Sequence, residues 1–285
     1  MIEGDVRDVV GTAFRGVDLL AGGVPCPPFS VAGKQLGRDD ERDLFPEMIR
    51  LAGEVQPRAV LIENVRGLLD PAFGSSRRSI EGEFGRLGFE VMGWRLLNAS
   101  HFGVPQLRPR VAMVALRQEY APFFQWPVGD PDSAPTVGEA LREQMASAGW
   151  EGADAWAATA NVIAPTLVGG SRKHGGPDLG PTRARQAWAR LGVEGRTLAD
   201  APPGPGHKGP VRLTVHMAAT IQGFNDWKIE GRKTQAYRQV GNAFPPPVAE
   251  ALGRAILSAL TKQPVKKREL VESTFTQEAL PVAVG

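Results

Sequence analysis

The chain has 285 residues, a formal net charge of +2 at pH 7 and 42% hydrophobic residues. This length and composition suit a globular protein of one large or two ordinary domains and argue against a disordered chain. The single cysteine cannot form an internal disulfide, and with only four histidines it argues against a structural zinc site. We therefore expect a cytoplasmic protein without a metal, and no apolar run is long enough to predict a membrane partner.

Apolar runs alternate with amphipathic stretches over residues 1–126. The spacing of apolar residues predicts helices over 42–55, where Pro46 is tolerated only in the first turn, and over 79–88. Four strands, the first two of them expected to be buried, are predicted at 17–24, 58–65, 89–99 and 110–117. This alternation predicts an α/β domain with a mainly parallel sheet.

The composition changes beyond about residue 127, where Gly, Pro, Ala and Arg dominate. Residues 127–210 are therefore predicted to form a small, irregular domain. Helical sequence returns over 211–262, including an amphipathic helix at 247–260, and residues 263–285 are predicted to form a frayed tail. Residues 171–240 hold twelve Lys or Arg and five Asp or Glu. This excess indicates either an anionic partner such as nucleic acid or a solvated basic surface.

Cys26 is enclosed by Pro25, Pro27 and Pro28, directly after the first predicted strand. Open α/β sheets place their sites beyond the carboxyl ends of strands, and prolines restrict the backbone that carries the thiol. Both features suit a nucleophile. A lone cysteine in apolar surroundings is also often a small core residue, so both interpretations stay open at this point.

Three further stretches carry polar side chains in suggestive places. Glu63, in the sequence ENV, ends the second predicted strand at the same sheet edge as Cys26. Gln106, Arg108 and Arg110 stand at alternate positions of QLRPR, so in an extended chain they share one face. The sequence GNAFPPPVAEAL places a Gly-Asn turn and three prolines before the last helix. Each stretch alone also fits a plain structural role, such as a helix cap, a surface arginine pair or a loop.

Taken in order, PCPPFS, ENV, QLRPR, a basic region and GNAFPPPVAEAL resemble the motif series of the DNA (cytosine-5)-methyltransferases. The opening IEGDVRDV resembles the same family, and the likeness runs over nearly the whole chain. The resemblance implies a Rossmann-like methyltransferase sheet with a target-recognition domain at 127–210. It also implies an enzyme that transfers a methyl group from S-adenosylmethionine to C5 of a cytosine flipped out of duplex DNA.

The resemblance assigns roles to particular residues. Cys26 matches the thiolate that adds to C6, and Glu63 matches the group that contacts N3 and the exocyclic amine. Arg110 matches the catalytic arginine on the O2 side of the base. Arg108, in the same motif, is also counted among the catalytic residues and is expected to act by supporting the loop. The residues that match cofactor contacts are Asp5, Pro25, Leu44, Asn242 and Ala243. The residues expected to contact DNA are Ser30, Lys34, Gln35, Gln106, Thr166, Arg172 and Lys173.

One part of the family pattern has no counterpart in the sequence. The family normally opens with a strand and a glycine-rich loop that hold the methionine end of the cofactor, and neither is found here. The resemblance therefore implies an N-terminally truncated sheet, in which a strand beginning near residue 2 lacks a neighbour. A longer N-terminal segment or a partner chain would complete the cofactor site, unless the chain is a decayed fragment.

Three alternatives stand beside this hypothesis. A non-catalytic DNA-binding remnant would explain a partial cofactor site. A relative that methylates tRNA would carry a further cysteine in the recognition region, and the chain has one cysteine in all. A cysteine hydrolase would need a histidine base, and no motif links Cys26 to the histidines at 101, 174, 207 and 216. The preferred hypothesis is a nucleoid-associated DNA cytosine methyltransferase that serves restriction protection or gene regulation.

Overall fold

The computed structural model describes residues 3–25, 43–169 and 176–263. The predicted site residues outside these ranges are Cys26, Ser30, Lys34, Gln35, Arg172 and Lys173. The described residues form a four-stranded α/β unit and a helical unit packed beside it. Two of the predicted motifs, ENV and QLRPR, end within described strands of the sheet.

The described strands are β1 (Leu19–Gly23), β2 (Ala59–Val65), β3 (Phe89–Asn98) and β4 (Pro109–Arg117). Their order in the sheet is β1-β2-β4-β3. β1 is parallel to β2, whereas β4 is antiparallel to both of its neighbours. The α/β class is confirmed, but the expectation of a mainly parallel sheet is wrong for these strands. The chain passes from β3 to β4 through a 3-10 turn at Ala99–Phe102 without a crossover helix, and such a short connection joins antiparallel strands.

The described helices are α1 (Phe45–Val55), α2 (Gly74–Arg86), α3 (Val137–Ala146), α4 (Ala153–Thr159), α5 (Thr182–Ala189), α6 (Val215–Ile221), α7 (Lys233–Asn242) and α8 (Pro246–Thr261). Pro46 lies in the first turn of α1, as predicted, where its missing N–H removes no helical hydrogen bond. α2 begins before the predicted residue 79, directly after a 3-10 turn at Pro71–Phe73. The helix predicted at 247–260 is confirmed as α8.

Two apolar layers cover the centre of the sheet. α1 and α2 pack on one face, and α8 packs on the other. The first layer includes Met48, Ala52, Val60, Ile62, Phe84 and Met113. The second layer includes Leu61, Val114, Val248, Leu252 and Ile256. Because successive residues of a strand point to opposite faces, β2 and β4 are buried on both sides. They therefore form a rigid support for the side chains at their ends.

β1 is not the buried strand that the sequence predicts. Its residues alternate between exposed and half-buried, and no described strand pairs with its outer edge. Leu19 is 37% exposed, and Val17 just before it is 42% exposed. Residues 3–18 contain two 3-10 turns, so the strand expected near residue 2 does not occur in that described range. β1 is therefore an edge strand with apolar side chains open to solvent.

The helices α3 to α7 share a second core. Fully buried members include Leu141, Trp188, Met217, Tyr237 and Val240. The predicted irregular region thus contains three helices and packs as a unit with α6 and α7. Because α6 and α7 belong to this core while α8 packs on the sheet, the packing favours a boundary after Asn242 rather than at residue 210.

Two kinds of feature are absent from the residues that the structure describes, namely a membrane-spanning helix and a cluster of metal-binding side chains. A helix that crosses a bilayer needs a long uncharged apolar run, and none of the described helices has one. No group of three His, Cys, Asp or Glu side chains among the described residues is arranged to hold a metal ion. Several acidic side chains instead form surface ion pairs, such as Asp154 with Arg142 and Glu194 with Arg212.

Candidate active site

The sheet topology brings three sequence motifs to one edge. β1 and β2 are parallel neighbours, with Gly23 opposite Glu63, so their carboxyl ends lie side by side. β4 is antiparallel to β2, with Arg110 opposite Val65, so its amino end reaches the same edge. Val24 continues from β1 toward the proline-flanked cysteine. The ENV motif and the end of the QLRPR motif therefore meet at the edge where β1 ends.

Glu63 and Arg110 form an ion pair at this edge. Arg110 Nε lies 2.9 Å from Glu63 Oε1, and the side chains are 17% exposed for Glu63 and 14% for Arg110. Arg110 Nη1 also donates to the carbonyl of Pro109 at 3.0 Å. The pair is largely buried but keeps some access to solvent. A carboxylate and a guanidinium in such a place can bind the polar edge of a planar ligand.

Burial shifts the pKa values of both partners. Desolvation raises the pKa of Glu63 above its ordinary value, because it penalises the carboxylate, and the charges of Arg110 and Arg108 lower it in part. Desolvation also lowers the pKa of Arg110, which the charge of Glu63 counteracts. If Arg110 moved away, the pKa of Glu63 would rise further. The carboxyl group is therefore placed to accept a proton once its partner is engaged elsewhere.

Gly23 and Asn64 support this arrangement from β1 and β2. A Cβ at Gly23 would lie 3.1 Å from Glu63 Oε2, so the glycine leaves room for the carboxylate. Asn64 is 3% exposed and its side chain points away from the Glu63 face. Its Nδ2 donates to the carbonyl of Val24 at 3.1 Å, which ties β2 to the chain just before the cysteine motif. Asn64 was not among the predicted site residues, although its place next to Glu63 in ENV was the available signal.

Arg108 lies inside the protein, although it is only two residues from Arg110. It is 1% exposed. Its Nη1 donates to the Leu167 carbonyl at 2.7 Å, and its Nη2 donates to the carbonyls of Gly241 at 2.7 Å and Ala243 at 3.0 Å. Burial lowers the pKa of Arg108 to about 9, so the guanidinium remains charged at neutral pH. These contacts fit the expectation that Arg108 supports a loop, since its terminal nitrogens are occupied by backbone carbonyls.

Gln106 is also fully buried. Its Nε2 donates to the Ile221 carbonyl at 3.1 Å and to Gln222 Oε1 at 2.6 Å, and its Oε1 accepts from the Leu167 N–H at 2.7 Å. Gln106 and Arg108 are both buried while Leu107 between them is exposed, and Arg108 Nη1 lies 3.4 Å from Gln106 Oε1, as expected for alternate residues of an extended chain. A Gln106 side chain with these internal partners is not placed to contact DNA. Gln222 was missed by the sequence analysis, since nothing in its helical stretch marked it.

The other predicted positions beside the helical unit lie near one another. The Thr166 hydroxyl donates to the carbonyl of the exposed residue Leu107. Asn242 is exposed, and its side chain lies against Gly169, where any added Cβ would collide with it. Ala243 is half-buried at the end of α7. The structure thus brings the segment that contains Thr166 next to the predicted cofactor positions Asn242 and Ala243.

The remaining cofactor candidates lie in the chain before β1, at Asp5, and after it, at Pro25 and Leu44. Asp5 is exposed and accepts from the Arg7 backbone N–H at 2.9 Å and its guanidinium at 3.1 Å. Pro25 is exposed after β1, and Leu44 is half-buried at the start of α1. An accessible carboxylate suits the hydroxyl and amino donors of a nucleoside, and an apolar side chain such as Leu44 suits its flat ring.

Comparisons with known proteins agree on one family. The sequence profile described as C-5 cytosine-specific DNA methylase matches residues 1–258. The Type II methyltransferase M.NaeI of Lentzea aerocolonigenes is 56% identical over 282 residues, which cover 96% of this chain and 67% of that protein. M.NgoMIV of Neisseria gonorrhoeae is 51% identical over 271 residues, or 92% of this chain and 84% of that protein. The S. pombe Dnmt2 methyltransferase structure, at 15% identity, has a TM-score of 0.55 over 91% of this chain and 84% of that chain, which supports the fold alone.

Proposed function

The chain belongs to the C-5 cytosine-specific DNA methylase family, and we propose that it methylates a cytosine flipped out of duplex DNA through a covalent Cys26 adduct. It is a DNA (cytosine-5)-methyltransferase whose methyl donor is S-adenosylmethionine, and its Type II relatives link it to restriction-modification. The observation that carries the proposed mechanism is the Glu63–Arg110 pair at the edge where β1 leads to Cys26.

The chemistry begins with a nucleophile because C5 of cytosine is too electron-poor to attack a methyl group unaided. The Cys26 thiolate forms a bond to C6, and the electrons displaced from the C5–C6 double bond make C5 nucleophilic. S-adenosylmethionine, when bound, supplies the electrophilic methyl group that C5 takes, and S-adenosylhomocysteine leaves. A base then removes the C5 proton, and expulsion of the thiolate restores the aromatic ring.

Glu63 and Arg110 offset the negative charge that develops on the ring during addition. Glu63, whose pKa is raised by burial, holds a proton toward N3, and Arg110 contacts the O2 side. Before a base arrives, these two groups neutralise each other at 2.9 Å. A cytosine that enters between them separates the pair, which raises the pKa of Glu63 further. Base entry and protonation of Glu63 are therefore linked in this proposal.

The cofactor is held by residues at the end of β1 and by the turn before α8. The exposed carboxylate of Asp5 suits amino or hydroxyl donors of the adenosine moiety, and Leu44 offers an apolar surface. The full set of proposed cofactor contacts is Asp5, Pro25, Leu44, Asn242 and Ala243. These residues fit part of the ligand and leave the methionine end to other groups.

We propose that a further strand pairs with the outer edge of β1 and completes the cofactor site. It would come from a longer N-terminal segment or from a second chain. Two observations favour this: no described strand pairs with that edge, and Leu19 and Val17 are exposed beside it. An exposed edge with apolar side chains favours pairing with another strand.

Six residues are proposed to contact DNA. Gln106 is reassigned as a positioning residue, because its side chain is buried and bonded internally. Phosphate contacts by basic residues would make binding fall steeply with salt. The residues proposed to contact DNA are Ser30, Lys34, Gln35, Thr166, Arg172 and Lys173.

The covalent step is tested with duplex DNA that carries 5-fluorocytosine. Fluorine cannot leave C5 as a proton does, so the thiol–base bond persists after methyl transfer. The wild-type protein, with any segment needed for activity, should form a denaturant-resistant complex that carries radiolabelled methyl. Cys26→Ser should form none, and the surface variant Ser147→Ala should match the wild type. Methyl transfer at the wild-type rate by Cys26→Ser would refute the adduct.

The requirement for a further strand is tested by calorimetric titration of S-adenosylmethionine. The chain alone is compared with a version extended upstream and with candidate partner chains that carry a glycine-rich motif. Binding that appears only with the added segment supports strand addition at β1. Equal binding by the chain alone refutes that requirement. DNA binding without cofactor binding under all conditions would instead favour a non-catalytic DNA-binding protein.

A further inference from the structure

Four residues are joined by a closed set of hydrogen bonds, here called the polar ring, which is buried at Gln106, Arg108 and Gln222 and half-buried at Ala243. Arg108 Nη1 donates to Gln106 Oε1 at 3.4 Å, and Gln106 Nε2 donates to Gln222 Oε1 at 2.6 Å. Gln222 Nε2 and Arg108 Nη2 both donate to the Ala243 carbonyl, at 2.7 Å and 3.0 Å. Gln106 and Gln222 are 0% exposed. Because hydrogen bonds that are shielded from water are stronger, the ring is expected to hold its four residues in fixed positions relative to one another.

The polar ring holds the recognition segment, defined here as residues 167–169. The Leu167 N–H donates to Gln106 Oε1 at 2.7 Å, and the Leu167 carbonyl accepts from Arg108 Nη1 at 2.7 Å. Thr166, which is one of the proposed DNA contacts, directly precedes the segment. A shift of the recognition segment therefore has to strain or break its hydrogen bonds to Gln106 and Arg108 of the ring.

The recognition segment also touches the cofactor turn, defined here as residues 241–243. A Cβ on Gly241 would lie 2.5 Å from Gly169 Cα and 2.7 Å from Gly169 N, so the two backbones are in direct contact. Arg108 Nη2 donates to the carbonyls of Gly241 and Ala243. Backbone packing and the polar ring thus hold the two segments against each other.

We propose that Gln222 is a positioning residue that couples DNA binding at the recognition segment to cofactor binding at the cofactor turn. The inference rests on the proposed function, because it takes Thr166, next to the recognition segment, as a DNA contact and Asn242 and Ala243 as cofactor contacts. Gln222 belongs to neither segment and joins them through Gln106 and Ala243. DNA that fixes the recognition segment also fixes the cofactor turn, and the cofactor favours DNA binding to the same degree by linkage.

The informative variant is Gln222→Met, which keeps the length of the side chain and removes its two bonds in the ring. Neither former partner is left without a hydrogen bond. Gln106 Nε2 keeps a backbone carbonyl at 3.1 Å, and the Ala243 carbonyl keeps Arg108 Nη2 at 3.0 Å. The variant is therefore expected to fold, since no buried group loses all its partners. Its melting temperature checks this directly.

The matched control is Gln144→Met. Gln144 Nε2 donates to Thr220 Oγ1 at 2.7 Å, in the same helical unit but outside the polar ring. Hydrogen exchange without ligands is the first measurement. In Gln222→Met, the amides of 167–169 and 241–243 should exchange together about tenfold faster than in the wild type. Exchange in both segments at the wild-type rate, or equal acceleration in Gln144→Met, overturns the proposal.

The second measurement is the affinity for S-adenosylhomocysteine with and without a duplex DNA pool of random sequence. We expect DNA to tighten wild-type binding about fivefold or more. Gln222→Met should lose most of this factor while each ligand alone binds nearly as before, whereas Gln144→Met should keep it. An unchanged factor in Gln222→Met, or none in the wild type, overturns the coupling. A wild type that binds neither ligand contradicts the proposed function, and the exchange experiment then still decides whether Gln222 joins the two segments.

Discussion

Arg108 and Arg110 belong to one motif and are two residues apart, yet their surroundings are opposite. Arg110 is 14% exposed and pairs with the carboxylate of Glu63 at an accessible sheet edge. Arg108 is 1% exposed and donates to three backbone carbonyls. An ionic partner at an edge can be exchanged for a ligand, whereas a guanidinium enclosed by carbonyls cannot leave without exposing unpaired groups. The partners of each arginine, more than the motif, therefore indicate which one meets the substrate.

The largest effect should follow from Arg110→Met. It removes the group proposed at the O2 side of the base, so kcat/KM should fall by about 10²–10³-fold, or about 3–4 kcal/mol of transition-state stabilisation. The free energy of unfolding should fall by less than this, by about 1–2 kcal/mol, because Glu63 is left in a largely buried place without its partner but can take up a proton. Methyl-transfer kinetics and urea unfolding measure the two quantities. Comparable losses of activity and stability would contradict the proposed division between the arginines.

Arg108→Met should reverse this profile. It leaves the Leu167 and Gly241 carbonyls without the donor that Arg108 supplies, so the free energy of unfolding should fall by about 3 kcal/mol. Arg142→Met is the control, since Arg142 forms an exposed ion pair with Asp154 and should cost less than about 1 kcal/mol. Urea unfolding decides between them. If Arg108→Met were as stable as the control, its carbonyl contacts would not hold the segments together.

The sequence could predict which residues lie at the sheet edge, because the ends of strands follow from the pattern of neighbouring residues in the chain. The apolar runs place Glu63 at the end of β2 and Arg110 at the start of β4, and α1 begins around Pro46 as expected. It could not predict the burial of Gln106, because that depends on Gln222, more than a hundred residues away along the chain. The antiparallel pairing of β4 was missed because the sequence analysis treated the connection between β3 and β4 as a crossover. This connection contains only a 3-10 turn.

Glu63 should also make stability depend on pH in a recognisable direction. Burial raises its pKa in the folded state above the ordinary value, so its stabilising contribution is present below that ordinary value. It is lost as pH rises through the raised folded-state pKa. The wild type should therefore lose stability relative to Glu63→Gln over this window, which urea unfolding at a series of pH values measures.

The control for this pH dependence is Glu139, whose pKa is shifted in the opposite direction. Its hydrogen bonds to Thr136 lower the pKa of Glu139, so its contribution is present above the ordinary carboxyl value and lost as pH falls. The wild type should gain stability relative to Glu139→Gln as pH rises. Parallel slopes for the two variants would show that Glu63 is not held in a desolvated site.

The smallest expected effect on activity comes from a change beside the Glu63–Arg110 pair. Gly23→Ala places a methyl group 3.1 Å from Glu63 Oε2, closer than most such contacts. Because the carboxylate must then shift against Arg110, methyl transfer should slow by about three- to tenfold. Gly22→Ala is the matched control, since its methyl group would meet Met48 Sδ at an ordinary 3.4 Å away from Glu63. If both variants slowed equally, the loss would come from β1 itself, and the position of the carboxylate would not limit the rate.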